Sequence, residues 1–526
     1  MRLQIFKIRH TAAAVCLFLM AHTYAMTNPQ SELNTEYVDP VISGDRPDPS
    51  ILKIGQDYYL TYSSFDYYPG LTIWHSNNLV DWTPVTAALK TPIGAVYAPS
   101  LVYHSDMFHI YIPTVDMDIL KKGKQAKRKS VLSVYEIHAP NVEGPWSEPI
   151  EMQIFSGVDP GFAQDQNGQK YLFLNDGQMV KLDKTGRLAA SRPTKVYEGW
   201  DIPEDWVYAG KDLEGPKILR KNGYYYMFSA QGGTAGPATS HMVIVARAKE
   251  LSGPWENSPY NPLVRTESRA EQWWSKGHAT PFQGPKGEWL MALHGYENGY
   301  RTLGRQFLLS SFEWSDDHWP VNGRLSKFYG GVKTHRSERE LSSPYSENDL
   351  GIKFSVYKPE ENFKDRLAFV DGGIEITGKG SGPQNASPVA FNVGDHYYEF
   401  QTKITVNPGA TAGLLLFYNE NLFCGLSSDN KFLQKYDLGK LKLYSSAGKA
   451  IGSTFYIKVI NDRNTASFYL SKDGIDWKRH SSFDVSGYHH NMAGDFLSLR
   501  PALFVSGENS AIFSETKYSG LRDSSR

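Results

Sequence analysis

The chain has 526 residues, with 55 basic against 56 acidic side chains and a formal net charge of −1. That balance argues against a nucleic-acid partner, whose phosphates demand a basic excess. Beyond the N-terminal segment no stretch approaches about 18 consecutive apolar residues, so no membrane span is expected, and two cysteines in the whole chain rule out a disulfide framework.

The first element is an export leader. Arg2, Lys7 and Arg9 form a basic start, residues 11–21 are an apolar run too short to cross a bilayer, and Thr23-Tyr24-Ala25 offers small residues for cleavage after Ala25. Residues 1–25 are therefore expected to be a signal peptide and the mature protein to be periplasmic or extracellular, with 52 basic and 56 acidic residues left. Cys16 lacks the Leu-x-Gly/Ala-Cys pattern of a lipid anchor, and Cys424, in Asn421-Leu-Phe-Cys-Gly-Leu, reads as a buried small hydrophobe. A basic run over 121–129 has no interleaved aromatics and reads as a solvated loop. Aromatic residues make up 13% of the chain, with 32 Tyr and 12 Trp, which suits stacking on sugar C–H faces.

Helical periodicity is scarce, and short alternating strands broken by Gly, Asn and Asp turns point to an all-β fold. A unit recurs five times: a slot residue, a nearby Pro, an apolar strand, a turn and an aromatic strand. Its copies start at Asp48-Pro-Ser, Ala98-Pro-Ser, Asp159-Pro-Gly, Glu214-Gly-Pro-Lys and His278-Ala-Thr-Pro. A second echo ends in a Trp turn at Trp82, Trp146 and Trp255. The spacing of 50 to 64 residues fits a four-stranded blade with its loops, so residues 36–330 are expected to form a five-bladed β-propeller.

In a propeller the first strand of every blade lines the central channel, so equivalent positions form a ring at one mouth. The slot holds Asp48, Asp159, Glu214 and His278, with Ala98 in the second blade. Clustered carboxylates repel, which holds at least one of them protonated near neutral pH. Glycoside hydrolysis needs that arrangement: a carboxylic acid to protonate the leaving oxygen and a carboxylate to activate water. Taken singly, each Asp-Pro could merely close an Asx turn, and oxygen ligands also suit Ca²⁺, so a structural calcium is left open although no cofactor is required.

Arg46-Pro-Asp-Pro-Ser50, Val158-Asp-Pro160 and Glu214-Gly-Pro-Lys217 resemble the three signature segments of glycoside hydrolase family 43, and the likeness continues through Gly277-His278 and Leu303-Gly-Arg305-Gln. The resemblance implies an inverting mechanism with Asp48 as general base, Glu214 as general acid and Asp159 as the residue that tunes and orients the acid. It further implies substrate contacts from Phe65, which would stack on the terminal sugar, from Tyr97, where relatives carry Trp, from Arg305, and from His278 at the site centre. Gln306-Phe307 departs from the Glu-Thr of the β-xylosidase branch, which together with Tyr97 leaves the subsite shape open.

After Trp319-Pro-Val the repeat stops. Residues 331–348 read as a linker, polar over 337–348, and 349–526 as a β-sandwich, from strictly alternating runs such as Tyr397-Tyr-Glu-Phe-Gln-Thr-Lys-Ile. The runs near Ala412 and Trp477 resemble the concanavalin-like jelly roll behind family 43 β-xylosidases, where a sandwich loop helps close the pocket. The alternative is a structural or sugar-binding appendage.

The function expected is an exo-acting inverting β-1,4-xylosidase that releases xylose from fragments of plant cell-wall xylan or arabinoxylan. An α-L-arabinofuranosidase on the same scaffold is the alternative. A non-catalytic sugar-binding propeller is disfavoured by the presence of all three acids. A retaining furanosidase or fructosyl-transferring propeller is disfavoured by the lack of an Asn-Asp-Pro-Asn segment and an Arg-Asp-Pro triplet.

Overall fold

The structure is a computed structural model that describes residues 40–116, 131–322, 341–442, 448 and 451–521, and the backbone of 328–329. The expected leader, the basic run over 121–129 and the linker residues 331–340 lie outside the described residues. No helix among the described residues is long and apolar enough to cross a membrane.

Five antiparallel sheets make the propeller. Blade one runs Ser50–Ile54, Asp57–Thr61, Gly70–Ser76 and Thr83–Leu89; blade two is built on Ser100–His104, Met107–Val115, Leu132–Ala139 and Ile150–Glu151. Blade three holds Gly161–Gln164, Lys170–Leu174, Gln178–Lys181 and Thr194–Lys195, and blade four Glu214–Lys221, Tyr224–Gln231, Met242–Ala248 and Glu256–Asn257. Blade five has Trp273–Gln283, Trp289–Glu297 and Arg305–Trp314, and borrows a further strand, Ile42–Asp45, from the start of the chain. That closing strand stands outside the repeat. It covers an edge that would otherwise present unpaired backbone groups, and it fixes Asp45 against Gln306 in the last blade.

The remainder forms a β-sandwich of one eight-stranded and one seven-stranded sheet. Tyr397–Val406 alternates without a break between buried and half-buried residues, as its sequence pattern predicts for a strand with one face inward. Ala410–Asn419 is buried along nearly its whole length. Its sheet faces the partner sheet on one side and the propeller on the other, so a continuous apolar run replaces alternation.

Propeller and sandwich are joined more closely than a linker implies. Tyr67–Tyr68, from a loop of blade one, pairs antiparallel with Ser355–Tyr357 and so belongs to the eight-stranded sheet. One apolar cluster runs from Leu71, Ile73 and Val96 of the first blades through Tyr357 to Leu415 and Leu503 inside the sandwich. Of the stretch read as a polar linker, Leu341 and Tyr345 are buried in that same cluster, and Ser343 N–H donates to the Thr516 carbonyl at 3.0 Å, while 346–348 are exposed. Two apolar residues spaced among serines carried too weak a pattern to be read as core. Cys424 is free and buried, as expected.

Candidate active site

Asp48, Asp159 and His278 all take a left-handed backbone conformation, with φ of 55°, 58° and 56°. In blade four the left-handed residue is Gly215, with φ 61°, and not Glu214. This corrects the alignment of the repeat by one residue. A Cβ at Gly215 would stand 2.7 Å from Nε2 of His278, so the imidazole of blade five fills the space that a blade-four slot side chain would need. Glu214 supplies its carboxyl from the preceding position.

The expected residues nevertheless converge. One oxygen each of Asp159 and Glu214 and a ring nitrogen of His278 lie within 4.8 Å of one another, and His278 Nδ1 is 3.4 Å from Asp48 Oδ1. Ala98, the slot residue of blade two, is buried and adds no polar group.

Asp48 is surrounded by donors. Arg305 forks onto it, with Nη1 to Oδ1 at 2.8 Å and Nη2 to Oδ2 at 3.2 Å, and Ser63 Oγ donates to Oδ2 at 2.6 Å. Its backbone N–H donates to His294 Nδ1 at 3.0 Å. Burial alone would raise this carboxyl, but the Arg305 guanidinium above all holds it well below the ordinary value. Burial keeps the imidazoles neutral, with His278 pushed down to about 3 and His294 to about 4. His278 Nε2 has no hydrogen-bond partner among the described residues.

Asp159 and Glu214 face the opposite situation. Burial and then the Asp48 charge push Asp159 up to about 7. Burial, then Asp159, Asp48 and Asp212, push Glu214 well above its ordinary value. The cation on this side is Lys217, buried in the channel, whose Nζ donates to the carbonyls of Pro160 at 3.0 Å and Pro99 at 3.5 Å. Burial lowers it to about 8 while Asp159 and Asp48 support its charge.

The prolines of the repeat thereby acquire a role. Thr280 Oγ1 donates to the Pro49 carbonyl at 2.8 Å, and Ser50 Oγ accepts the Leu101 N–H at 2.9 Å. With Lys217, these residues two positions beyond the slot sew neighbouring blades together beneath the acids. Gly161 occupies that position in blade three, where a Cβ would lie 1.7 Å from the Pro216 carbonyl oxygen.

Above the acids is a cavity of about 280 Å³, lined among others by Asp159, Asp176, Asp212, Glu214 and Phe496. Phe496 comes from the sandwich. Its ring lies 4.8 Å from the Arg305 guanidinium and stacks on His490 at 3.8 Å. Tyr418 fixes this turn by donating to the Asp495 carbonyl and accepting the Leu497 N–H. Asn491 clasps the propeller loop above the cavity, accepting the Gly236 N–H and donating to its carbonyl, both at 3.1 Å.

Phe65 and Tyr97 meet edge to face at 5.1 Å on the Asp48 side, with Phe65 5.7 Å from the Arg305 guanidinium. Gln306 and Phe307 do not shape a subsite. Gln306 is buried, donating to Glu297 at 2.8 Å and accepting the Gly44 N–H at 3.3 Å, and Phe307 lies in the core beside Trp82. Sequence reasoning missed Ser63, His294, Lys217 and Phe496. Lys217 was in view within Glu-Gly-Pro-Lys, whereas Phe496 had no repeat or motif to mark it.

The spacing of Asp159, Glu214 and His278 resembles a metal site. Calcium takes six to eight oxygen ligands, while this trio offers two carboxyls and a nitrogen beside the Lys217 ammonium, so the donor set is a poor fit for it.

A five-bladed propeller whose clustered channel carboxyls are held in opposed protonation states fits a glycosidase of the acid–base type. The family model for glycosyl hydrolases family 43 matches residues 37–320, and the chain belongs to that family. It is 30% identical to a xylan 1,3-beta-xylosidase of Vibrio over 509 residues, 85% of this chain and 90% of the relative. It is 32% identical to a non-reducing end alpha-L-arabinofuranosidase of Bacteroides ovatus over 351 residues, 62% of each chain. The fold matches the family 43 protein BlXynB of Bacillus licheniformis with a TM-score of 0.80 at 24% identity, covering 92% of this chain and all of that one. It matches a xylan beta-1,4-xylosidase of Bacillus halodurans with a TM-score of 0.77 at 24% identity, covering 92% and 99%.

Proposed function

We propose that this protein is an exo-acting, inverting β-xylosidase that removes xylose from the non-reducing end of xylan or arabinoxylan fragments, with Asp48 as general base and Glu214 as general acid. The observation that carries the reading is the pairing, around His278, of a carboxylate held ionised by the Arg305 fork with a carboxyl held protonated by burial and its acidic neighbours. Glu214 gives its proton to the glycosidic oxygen as the C–O bond breaks. Asp48 takes a proton from the water whose oxygen bonds to the anomeric carbon from the opposite face. Asp159 couples to Glu214, and because a second negative charge on that pair is unfavourable, the acid keeps its proton. His278, Phe65 and Tyr97 shape the floor and wall of the sugar site, and Arg305 contacts the sugar while it holds the base.

The wall that Phe496 brings from the sandwich supports exo-cutting, because an obstruction at one end of the cavity favours a chain terminus over a chain interior. An α-L-arabinofuranosidase is the second reading, favoured by the likeness to the Bacteroides ovatus enzyme and by the similar hydroxyl geometry of the two pentoses. The leader over 1–25 would place the enzyme outside the cytoplasm, where such fragments arise.

The test is to incubate the enzyme with xylobiose, nitrophenyl β-xyloside and nitrophenyl α-arabinofuranoside and to follow product anomers by NMR. Release of α-xylose from the β-linked substrates is expected. First-formed β-xylose would sink the inverting mechanism, and hydrolysis confined to the arabinofuranoside would select the second reading.

A further inference from the structure

Asp45 stands three residues before Asp48 and is at least as deeply buried, 2% exposed against 5%. Its Oδ1 accepts the backbone N–H of Arg305 at 3.1 Å, and its Oδ2 takes Nη2 of Arg500 at 3.3 Å. Arg500 belongs to the sandwich, where it opens the strand Arg500–Gly507. Its guanidinium lies 3.9 Å from the centre of the Tyr67 ring, and its Nε donates to Ser498 Oγ at 3.0 Å. A second sandwich residue, Asn392, brackets the Asp45 backbone, accepting its N–H at 3.2 Å and donating to its carbonyl at 3.0 Å.

Two buried carboxyls thus draw on one arginine. Arg305 gives its fork to Asp48 and its backbone N–H to Asp45. A buried carboxylate deprived of its cation turns to the next one within reach or takes up a proton. For Asp45 the cations at hand besides Arg500 are Arg305 and Arg46. Arg46 pulls on Asp45 less than Arg305 does: it lies between the rings of Tyr62 and Trp74, at 4.9 and 5.0 Å, and donates to the Asp45 carbonyl, with its Nε and Nη2 unpartnered among the described residues. Without Arg500, Arg305 is the strongest pull left on Asp45, and it is the guanidinium that holds Asp48.

We propose that Arg500 is a positioning residue for the reaction: by occupying Asp45 it leaves the Arg305 guanidinium to the catalytic base. The sandwich then contributes a charge to the propeller's chemistry, separately from the wall that Phe496 provides. The inference rests on the reading of Asp48 as base.

The test measures kcat and KM on nitrophenyl β-xyloside, with thermal unfolding alongside, for Arg500→Met, Arg500→Lys, Asp45→Asn and the double variant Asp45→Asn/Arg500→Met. Arg500→Met is expected to lower kcat on the order of 10- to 100-fold with KM within about threefold, the signature of a displaced reacting group. Arg500→Lys keeps the charge and recovers most of that loss. Asp45→Asn removes the competitor, so it loses less kcat than Arg500→Met although it strands a buried guanidinium and unfolds at least as early. The double variant regains kcat relative to Arg500→Met.

If kcat instead tracks the melting temperature through the whole set, or if the double variant is the worst of them, Arg500 is structural and the proposal fails. Should Arg500→Met not fold, the ranking of the Lys, Asn and double variants decides in the same way. Asp48→Asn is the control: near wild-type activity in that variant overturns the reading of the base itself. An inactive Asp48→Asn beside an unimpaired, folded Arg500→Met overturns the Arg500 proposal alone.

Discussion

The two sides of the acid cluster contain the same chemical group in opposite states. Asp48 and Glu214 are carboxyls drawn out of water into one channel, and desolvation is the largest influence on both. Asp48 answers it with a guanidinium fork and a serine hydroxyl. Glu214 meets three further acids and the distant attraction of Arg305. Donor count, more than depth of burial, separates a base from an acid here, and Arg305 and Ser63 are the residues that create the difference.

The sharpest way to break the comparison is to remove the charge on the donor-rich side. Asp48→Asn keeps the shape and removes the proton acceptor, and is expected to lower kcat by about 10⁴-fold on every substrate, the upper end for a general base. Glu214→Gln should differ in kind. Its loss, about 10²- to 10⁴-fold on xylobiose, should shrink toward wild type on a dinitrophenyl xyloside whose leaving group departs without a proton. Equal losses on both substrates would show that Glu214 is not the acid.

The pH profile probes the same contrast with the protein intact. The acid must be protonated to act, and its site is raised, so activity is present below that ionisation and is lost as pH rises through it. The base must be ionised and is held low, so its loss appears only as pH falls below the ordinary carboxylate range. A profile flat from mildly acid to neutral pH, falling on the alkaline side as the Asp159–Glu214 pair gives up its proton near or above about 7, is expected for kcat/KM. A fall that begins on the acid side near neutrality would contradict the state assigned to Asp48.

These states were only partly legible in the sequence. Asp48, Asp159 and His278 were placed by the repeat, because one left-handed backbone conformation recurs at four of the five blade entrances with a Pro one to three residues on. Glu214 was found for a partly mistaken reason: its blade keeps the left-handed turn but hands it to Gly215, since His278 occupies the space. The alternating strands of the sandwich were plain. The chain-closing strand Ile42–Asp45, the pairing of Tyr67–Tyr68 with Ser355–Tyr357 and the placing of Phe496 were not. All three join residues some 190 to 290 positions apart in the chain, and neither a period nor a local turn records such contacts.

Phe496 marks where the comparison should matter least to chemistry and most to binding. Its ring touches neither Asp48 nor Glu214 by hydrogen bond; it lines the cavity, lies over Arg305 and leans on His490. Phe496→Ala removes apolar wall while the fork onto Asp48 and the cluster around Glu214 stay in place. KM for xylobiose is expected to rise roughly tenfold, the worth of a partly buried aromatic face at about 1.4 kcal/mol, with kcat within about threefold. The pH profile should keep its shape, because no charge facing either carboxyl has changed. A larger fall in kcat than rise in KM would mean that the ring holds Arg305 in place, and the sandwich would then reach the base by two routes instead of through Asp45 alone.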